Sequence, residues 1–163
     1  MEVLRAPGPQ VQCFAPVALL GTVVDITGLP AWAREIEVIA VSCACSGTDN
    51  LLVQIGDFGG VEVSGYTAES GHVRQAAVGV VLSVTNGFPI TLGSAAFAFS
   101  GIVNLRLQDP ASNTWQSDHQ GRVDAARSVG GGHKSLTATL DRLRVKSSGT
   151  DMLSGSVIVV AKG

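Results

Sequence analysis

The sequence predicts an all-β fold, an antiparallel β-sandwich of jelly-roll or Greek-key type. Three observations carry this. Apolar and polar residues alternate along much of the chain, which is the period of a half-buried strand. Glycine-bearing breaks punctuate the alternation, and 20 of the 163 residues are glycine. No segment holds the i, i+3, i+4, i+7 apolar spacing of a helix with a cap at each end. About eight to ten short strands at this spacing suit two sheets packed face to face.

The opening "MEVLRAPGPQVQC" contains Pro7 and Pro9, which forbid a regular central strand. It predicts an extended arm over residues 1–16, ahead of one sandwich domain over 17–163. "GTVVDITG" is the first clear strand, ending at Gly28. "LPAWARE" offers a single turn opened by Pro30, with Trp32 a plug at the sandwich edge. In "REIEVIAVSC", Ile36, Val38 and Ala40 share one face while Glu35, Glu37 and Ile39 share the other. This strand starts half-exposed and becomes apolar on both sides, as a strand does when it runs under neighbours. "LLVQI" and "VEVSGY" read as two strands around the break "GDFGG".

After a polar loop, "VGVVLSV" gives another strand, and Asn86-Gly87 marks a turn leading to "PITLG". "AFAFSGIVNLRLQD" is a long strand. Phe97 and Phe99 share a face, and Val103, Leu105 and Leu107 share one further on. "TWQSDH" is a short strand behind the turn "DPASN". "RVDAARSVGGGHKS" reads as a flexible loop, because Gly130, Gly131 and Gly132 alone hold no rigid path. "LTATLDRLRVKSS" alternates through Leu136, Leu140, Leu143 and Val145, and "GSVIVVAKG" closes the chain as an apolar central strand.

Composition narrows the function classes. Charged residues are only 15%, against about 25% in ordinary soluble domains, which points to a surface partly covered by partners. The net charge is −2, and no basic stripe with interleaved aromatics is present, so nucleic acid is not the expected partner. The start lacks the basic-then-apolar run of a secretion signal. No apolar run approaches the roughly 20 residues of a membrane span. The expectation is a chain made in a cytoplasm, with no membrane insertion.

Chemistry-bearing constellations are sparse. The three cysteines are Cys13, Cys43 and Cys45. An odd count argues against a closed disulfide framework. Cys43 and Cys45 fall on one strand face and read as core residues, since a zinc site wants four ligands and no second pair exists. His72, His119 and His133 read as solvated loop histidines without metal-ligand spacing. Ser117, Asp118 and His119 have the residue types of a hydrolytic triad, but neighbours on a strand point to opposite faces. The expectation is therefore no catalytic residue, no metal and no cofactor. "GDFGG" has no helix behind it to aim at a phosphate, so it reads as a structural corner. Tyr66 and Trp115 are the candidate glycan-stacking platforms, with Thr67–Gln75 and Thr114–His119 as the receptor loops.

Three stretches carry a resemblance. "GTVVDITGLPAWAREIEV", "LLVQIGDFGGVEVSGY" and "SLTATLDRLRVKSSGTDMLSGSVIV" occur here in the order in which similar blocks occur in a β-sandwich family of tailed-bacteriophage virion proteins. That family resembles this chain from about Gly21 onward and comprises tail-fibre, receptor-binding and surface-decoration modules. The resemblance implies a non-enzymatic virion structural protein without cofactor, a surface-exposed appendage such as a short fibre, spike or decoration. It implies a homotrimer docked on another virion protein of capsid, collar or tail, with a host surface glycan as a further partner. It transfers no functional residues. The docking arm is placed on Pro7, Pro9 and Val11, because the chain has no room for a fibre shaft. A free lectin-like carbohydrate-binding module is the alternative.

Overall fold

Period-two burial runs along most of the chain in the computed structural model, which describes residues 8–74 and 77–163, with the backbone alone for 77–80. The described residues form fourteen strands and no helix. In chain order these are β1 (Val11–Cys13), β2 (Val17–Ala18), β3 (Val23–Thr27), β4 (Glu35–Cys45), β5 (Leu51–Asp57), β6 (Gly60–Val61) and β7 (Thr67–Arg74). They continue with β8 (Ala77–Val84), β9 (Phe88–Ile90), β10 (Phe99–Asp109), β11 (Thr114–Val123), β12 (Ala126–Ser135), β13 (Arg142–Ser147) and β14 (Leu153–Lys162).

The strands make a β-sandwich. The larger sheet has the order β1-β14-β4-β10-β11-β12-β7-β8, with β2 also on β14; the smaller has β3-β13-β5-β6, with β9 on β5. Neighbours are antiparallel. Late strands complete sheets begun by early ones: β13 lies between β3 and β5, and β14 between β1 and β4. Such non-sequential neighbours are what a Greek-key order produces. The core fills the space between the sheets. Ile36, Val38, Val103, Leu105 and Val159 face Ile26, Val53, Ile55, Leu143 and Val145 across it. In β4, Ile36, Val38 and Ala40 are buried as their alternation predicts, but a bulge at Val41 and Ser42 shifts the phase so that Cys43 and Cys45 also face inward, and Val41 is exposed rather than covered by neighbours. Burial pushes the Cys43 and Cys45 thiols up to about 11, so both stay protonated core side chains.

Several expectations fail here, each for a physical reason. The glycine-rich 126–135 stretch is not a loop but β12, paired along its whole length with β11 and on its other side with β7. Its glycines serve smallness, not mobility. A Cβ on Gly130 would stand 2.4 Å from His119 Cε1 and 2.3 Å from the Glu69 carbonyl oxygen. The polar stretch before "VGVVLSV" is also a strand, β7, whose inward face is Ala68, Ser70 and His72 rather than aliphatic. "TWQSDH" is part of a ten-residue strand, β11. "VEVSGY" stays paired only to Val61, and the long strand β10 begins at Phe99, leaving Phe97 before it.

The alternation from Leu136 to Leu140 is not strand, because the Asp57 carboxylate captures this segment. It accepts from Thr137 Oγ1 at 2.7 Å and from the Ala138 N–H at 2.8 Å. The same carboxylate accepts from the Gly59 N–H at 2.8 Å, closing the "GDFGG" hairpin between β5 and β6. The Thr137 hydroxyl, with the Gly59 and Ala138 amides, holds the Asp57 carboxyl below the usual range. Gly56 and Gly60 are required by the turn: a Cβ on Gly56 would stand 2.2 Å from the Gly60 carbonyl oxygen, and Gly60 has φ +125. "GDFGG" is thus a structural corner.

The boundary between arm and domain also moves. Pro7 lies outside the described residues and Pro9 is exposed, but from Gln10 onward the leading segment lies on the sheet. Gln10 and Gly163 exchange backbone hydrogen bonds, Val11–Cys13 pairs with β14, and the Phe14 N–H donates to the Val159 carbonyl at 2.9 Å. The segment covers the side of β14 that β4 leaves unpaired, and two prolines upstream do not prevent that.

Candidate functional site

β7, β11 and β12 turn a polar row into the sandwich. Ser70, His72, Ser117, His119 and Ser128 are all buried, whereas sequence reasoning places these histidines in solvated loops; only His133 is exposed. His119, 4% exposed, has Nε2 at 3.2 Å from Ser128 Oγ and 3.4 Å from Ser70 Oγ. Ser70 Oγ in turn accepts the Thr91 N–H at 3.0 Å. His72 Nε2 donates to the Thr91 carbonyl. The Phe99 ring stands edge-on to His119, with centroids 5.9 Å apart. Room for that ring comes from Gly101 and Gly121, paired directly on β10 and β11, where a Cβ would come within 2.7 Å and 2.5 Å of it.

This cluster holds serine beside histidine, but its chemistry is that of a core. Burial depresses His119 to about 4, outweighing the upward pull of Asp118, so the imidazole is neutral at physiological pH. Asp118 lies on the opposite face of β11, taken by Asn104 Nδ2 at 3.0 Å and Arg106 Nη1 at 3.3 Å. A serine hydrolase needs a carboxylate behind the imidazole and a nucleophile open to substrate; the Ser70–His119–Ser128 set has neither. Among the described residues no three His, Cys, Asp or Glu gather into a metal-binding set.

Neither candidate stacking residue is at the surface. Tyr66 is 2% exposed. Its hydroxyl accepts the Ile55 N–H at 2.9 Å and donates to the Glu62 carbonyl at 2.9 Å, and its ring meets Phe88 edge-on at 5.0 Å. It plugs the corner between β6 and β7. Trp115 is also 2% exposed, because odd-numbered residues of β11 face the core. Trp32 is half-buried, as a plug at the edge would be. The stretches assigned as receptor loops, Thr67–Arg74 and Thr114–His119, are strands β7 and β11; Gln75 lies outside the described residues.

What the surface does offer lies on the outward face of the larger sheet. One shallow groove of about 520 Å³ runs over β7 and β12, between Glu69, Val73, Val81, Val129 and His133. Gly71 and Gly131 leave its floor without side chains. A second, of about 600 Å³, is lined by Arg74, Arg122, Arg127, Gln120 and Ile102. Within it Arg127 Nη2 donates to Gln120 Oε1 at 2.9 Å, and Arg74 approaches Asp124 at 4.0 Å. Sequence reasoning misses this arginine cluster. Its members come from three strands, and only the antiparallel register of β11 with β12 and of β12 with β7 joins them. Val73 and Val81 are exposed apolar residues of the first groove; others lie away from it, among them Val11 on the edge strand, Leu20, Met152, and Phe58 at the hairpin tip, 81% exposed. Comparison with family models, with curated proteins and with solved structures returns no match for this chain.

Proposed function

We propose that the chain is a structural protein of a tailed-phage virion: a surface-exposed appendage docked on another virion component and assembled as a homotrimer. One observation supports this beyond the sequence resemblance itself. The three resembling blocks, Gly21–Val38, Leu51–Tyr66 and Ser135–Val159, are neighbours in space. They contribute β3, β13, β5 and β6, which is the smaller sheet apart from β9, together with the first four residues of β4 and most of β14, which meet at Val38 and Val159. Asp57 of the second block holds Thr137 and Ala138 of the third. The blocks thus form one connected part of the fold, which is what a shared module requires.

The low charge content and the exposed Val11, Leu20, Phe58 and Met152 fit a surface that is covered on assembly. Docking through the leading segment remains part of the reading, with Val11 as the described contact; β1 presents one edge of the larger sheet. Burial of Tyr66 and Trp115 removes the exposed aromatics on which the lectin-like alternative was founded. The test combines two measurements. Light scattering on the purified chain gives a mass three times that of the 16.7 kDa protomer, and antibody to the chain labels purified virions at fixed copy number. A monomer whose melting temperature is unchanged on dilution overturns the trimer, and absence from virions overturns the structural role.

A further inference from the structure

Three arginines meet in the groove of about 600 Å³ on the outward face of the larger sheet. Arg122 and Arg127 are direct cross-strand partners on β11 and β12, and both are exposed. Directly opposed side chains start about 4.5–5.5 Å apart, where like charges destabilise a sheet. Arg74 enters from β7, next to Val73, which pairs with Arg127 on its other side. Cations elsewhere on this face are answered by carboxylates: Arg106 by Glu35 and Asp118, Lys162 by Glu35 and Glu37. Among the described ion pairs Arg122 and Arg127 have no such partner. Neutral acceptors hold them instead. Arg127 Nη2 donates to Gln120 Oε1 at 2.9 Å, and Arg122 Nη2 to the Asp124 carbonyl at 3.1 Å. The Arg74 guanidinium lies 5.6 Å from the centroid of the Phe97 ring and comes no nearer than 4.0 Å to the Asp124 carboxylate. Three guanidiniums are thus held in place around one groove with a single carboxylate at its rim.

We propose that this groove binds the phosphate group of a phosphorylated sugar. A guanidinium fork matches phosphate oxygens bidentately. A phosphate monoester carries about −1.5 to −2 charge at pH 7, so between Arg122 and Arg127 it turns their repulsion into attraction, whereas a carboxylate brings one charge to three cations. Gly101 and Gly121, paired directly, leave the floor beside the arginines without side chains, which makes room for a sugar ring. The volume is that of a small-ligand site. Gln120 gives its amide oxygen to Arg127 and keeps its N–H groups for a sugar hydroxyl. An extended polyanion such as nucleic acid fits poorly, because beyond the groove the same face carries Asp118, Glu35 and Glu37. The inference does not depend on the chain's place in a virion.

The test follows the arginine Nε–H resonances of the ¹⁵N-labelled full-length protein at low ionic strength. Titration uses glucose-6-phosphate, inorganic phosphate, glucose and a short DNA duplex. The expected result is a saturable shift of the Arg122 and Arg127 signals with glucose-6-phosphate, a weaker response to inorganic phosphate, and none to glucose. Both arginines are exposed, so Arg122→Gln and Arg127→Gln fold normally. Each weakens binding roughly tenfold or more, the effect of one charge-assisted hydrogen bond. Arg34→Gln, outside the groove, leaves binding unchanged. Without ligand, the variants at 122 and 127 melt no lower than wild type, because a repulsion is removed. Silent arginine signals at millimolar glucose-6-phosphate overturn the proposal. So does an equal loss in Arg34→Gln, which makes the attraction one of general charge. Inorganic phosphate bound as well as the ester overturns the sugar, and tighter binding of the duplex reassigns the groove to nucleic acid. A lower melting temperature in both groove variants makes the pair structural and overturns the proposal as well.

Discussion

Acid should unfold this protein through one histidine before it does so through carboxylates. His119 is depressed from 6.5 to about 4 by burial, with His72 adding to the drop and Asp118 opposing it. Its imidazole faces Ser70, Ser128 and the Phe99 ring, none of which stabilises a cation as a carboxylate would. Between pH 6.5 and 4 the unfolded chain binds a proton at this position that the folded chain refuses. Stability therefore falls as pH falls through that window, and it is fully present above 6.5. A shift of this size corresponds to about 3 kcal/mol, a large share of the margin of an ordinary domain. Carboxylates held low, such as Asp25, Asp49 and Asp57, act further down: their stabilisation is lost as pH drops toward and below the ordinary value of 3.8. The assay is urea denaturation of wild type and His119→Gln at fixed protein concentration from pH 7 to pH 4. Glutamine stays neutral throughout and keeps a polar tip for the two serines. The variant is less stable at pH 7, but its stability declines by about 3 kcal/mol less across the window, other titrating groups cancelling in the difference. Parallel pH profiles for the two proteins refute the reasoning.

Two further substitutions test the packing around the same interior. Gly130→Ala places a methyl 2.4 Å from His119 Cε1 and 2.3 Å from the Glu69 carbonyl oxygen; it should cost about 1–3 kcal/mol or more in urea denaturation, while Gly8→Ala, which meets nothing within 4 Å, costs nothing measurable. Tyr66→Phe removes the acceptor of the Ile55 N–H and the donor to the Glu62 carbonyl, and a loss of about 1–3 kcal/mol is expected by the same measurement.

The fold class was legible because its signal is statistical: alternation and glycine punctuation survive errors in any single element. Aliphatic strands such as β4, β5 and β14 could be read directly. β7 and β12 could not, and they fail together for one reason. Their inward positions carry Ala68, Ser70 and His72, and Ser128, Gly130 and Gly132. Such residues look polar or flexible until the partner strand is known. The period-two pattern was present in both, with Ser70 and His72 two apart on β7 and Ser128, Gly130 and Gly132 spaced by two on β12, but a hydrophobicity criterion passes over it. The site residues failed through the opposite bias. Tyr66 and Trp115 were placed outside because a glycan reader needs exposed aromatics, whereas a chain with only 5% aromatic residues spends them on its core.

The polar interior also bears on how the larger sheet keeps its register. Aliphatic side chains on adjacent strands tolerate a slip by two residues, since any apolar neighbour serves about equally well. The β11–β12–β7 part of the sheet does not tolerate it. Gly130 must lie under the His119 ring, and Ser128 and Ser70 must both reach its Nε2. A slip by two puts the Gly132 or Ser128 backbone under the ring and leaves a buried histidine with a serine out of reach. Each unmet polar group costs about 1–3 kcal/mol, so the correct register is separated from its neighbours by at least one such penalty. The triglycine and the buried histidine are thus two halves of one device: neither residue type suits a strand interior alone, and each is tolerated because the other is there.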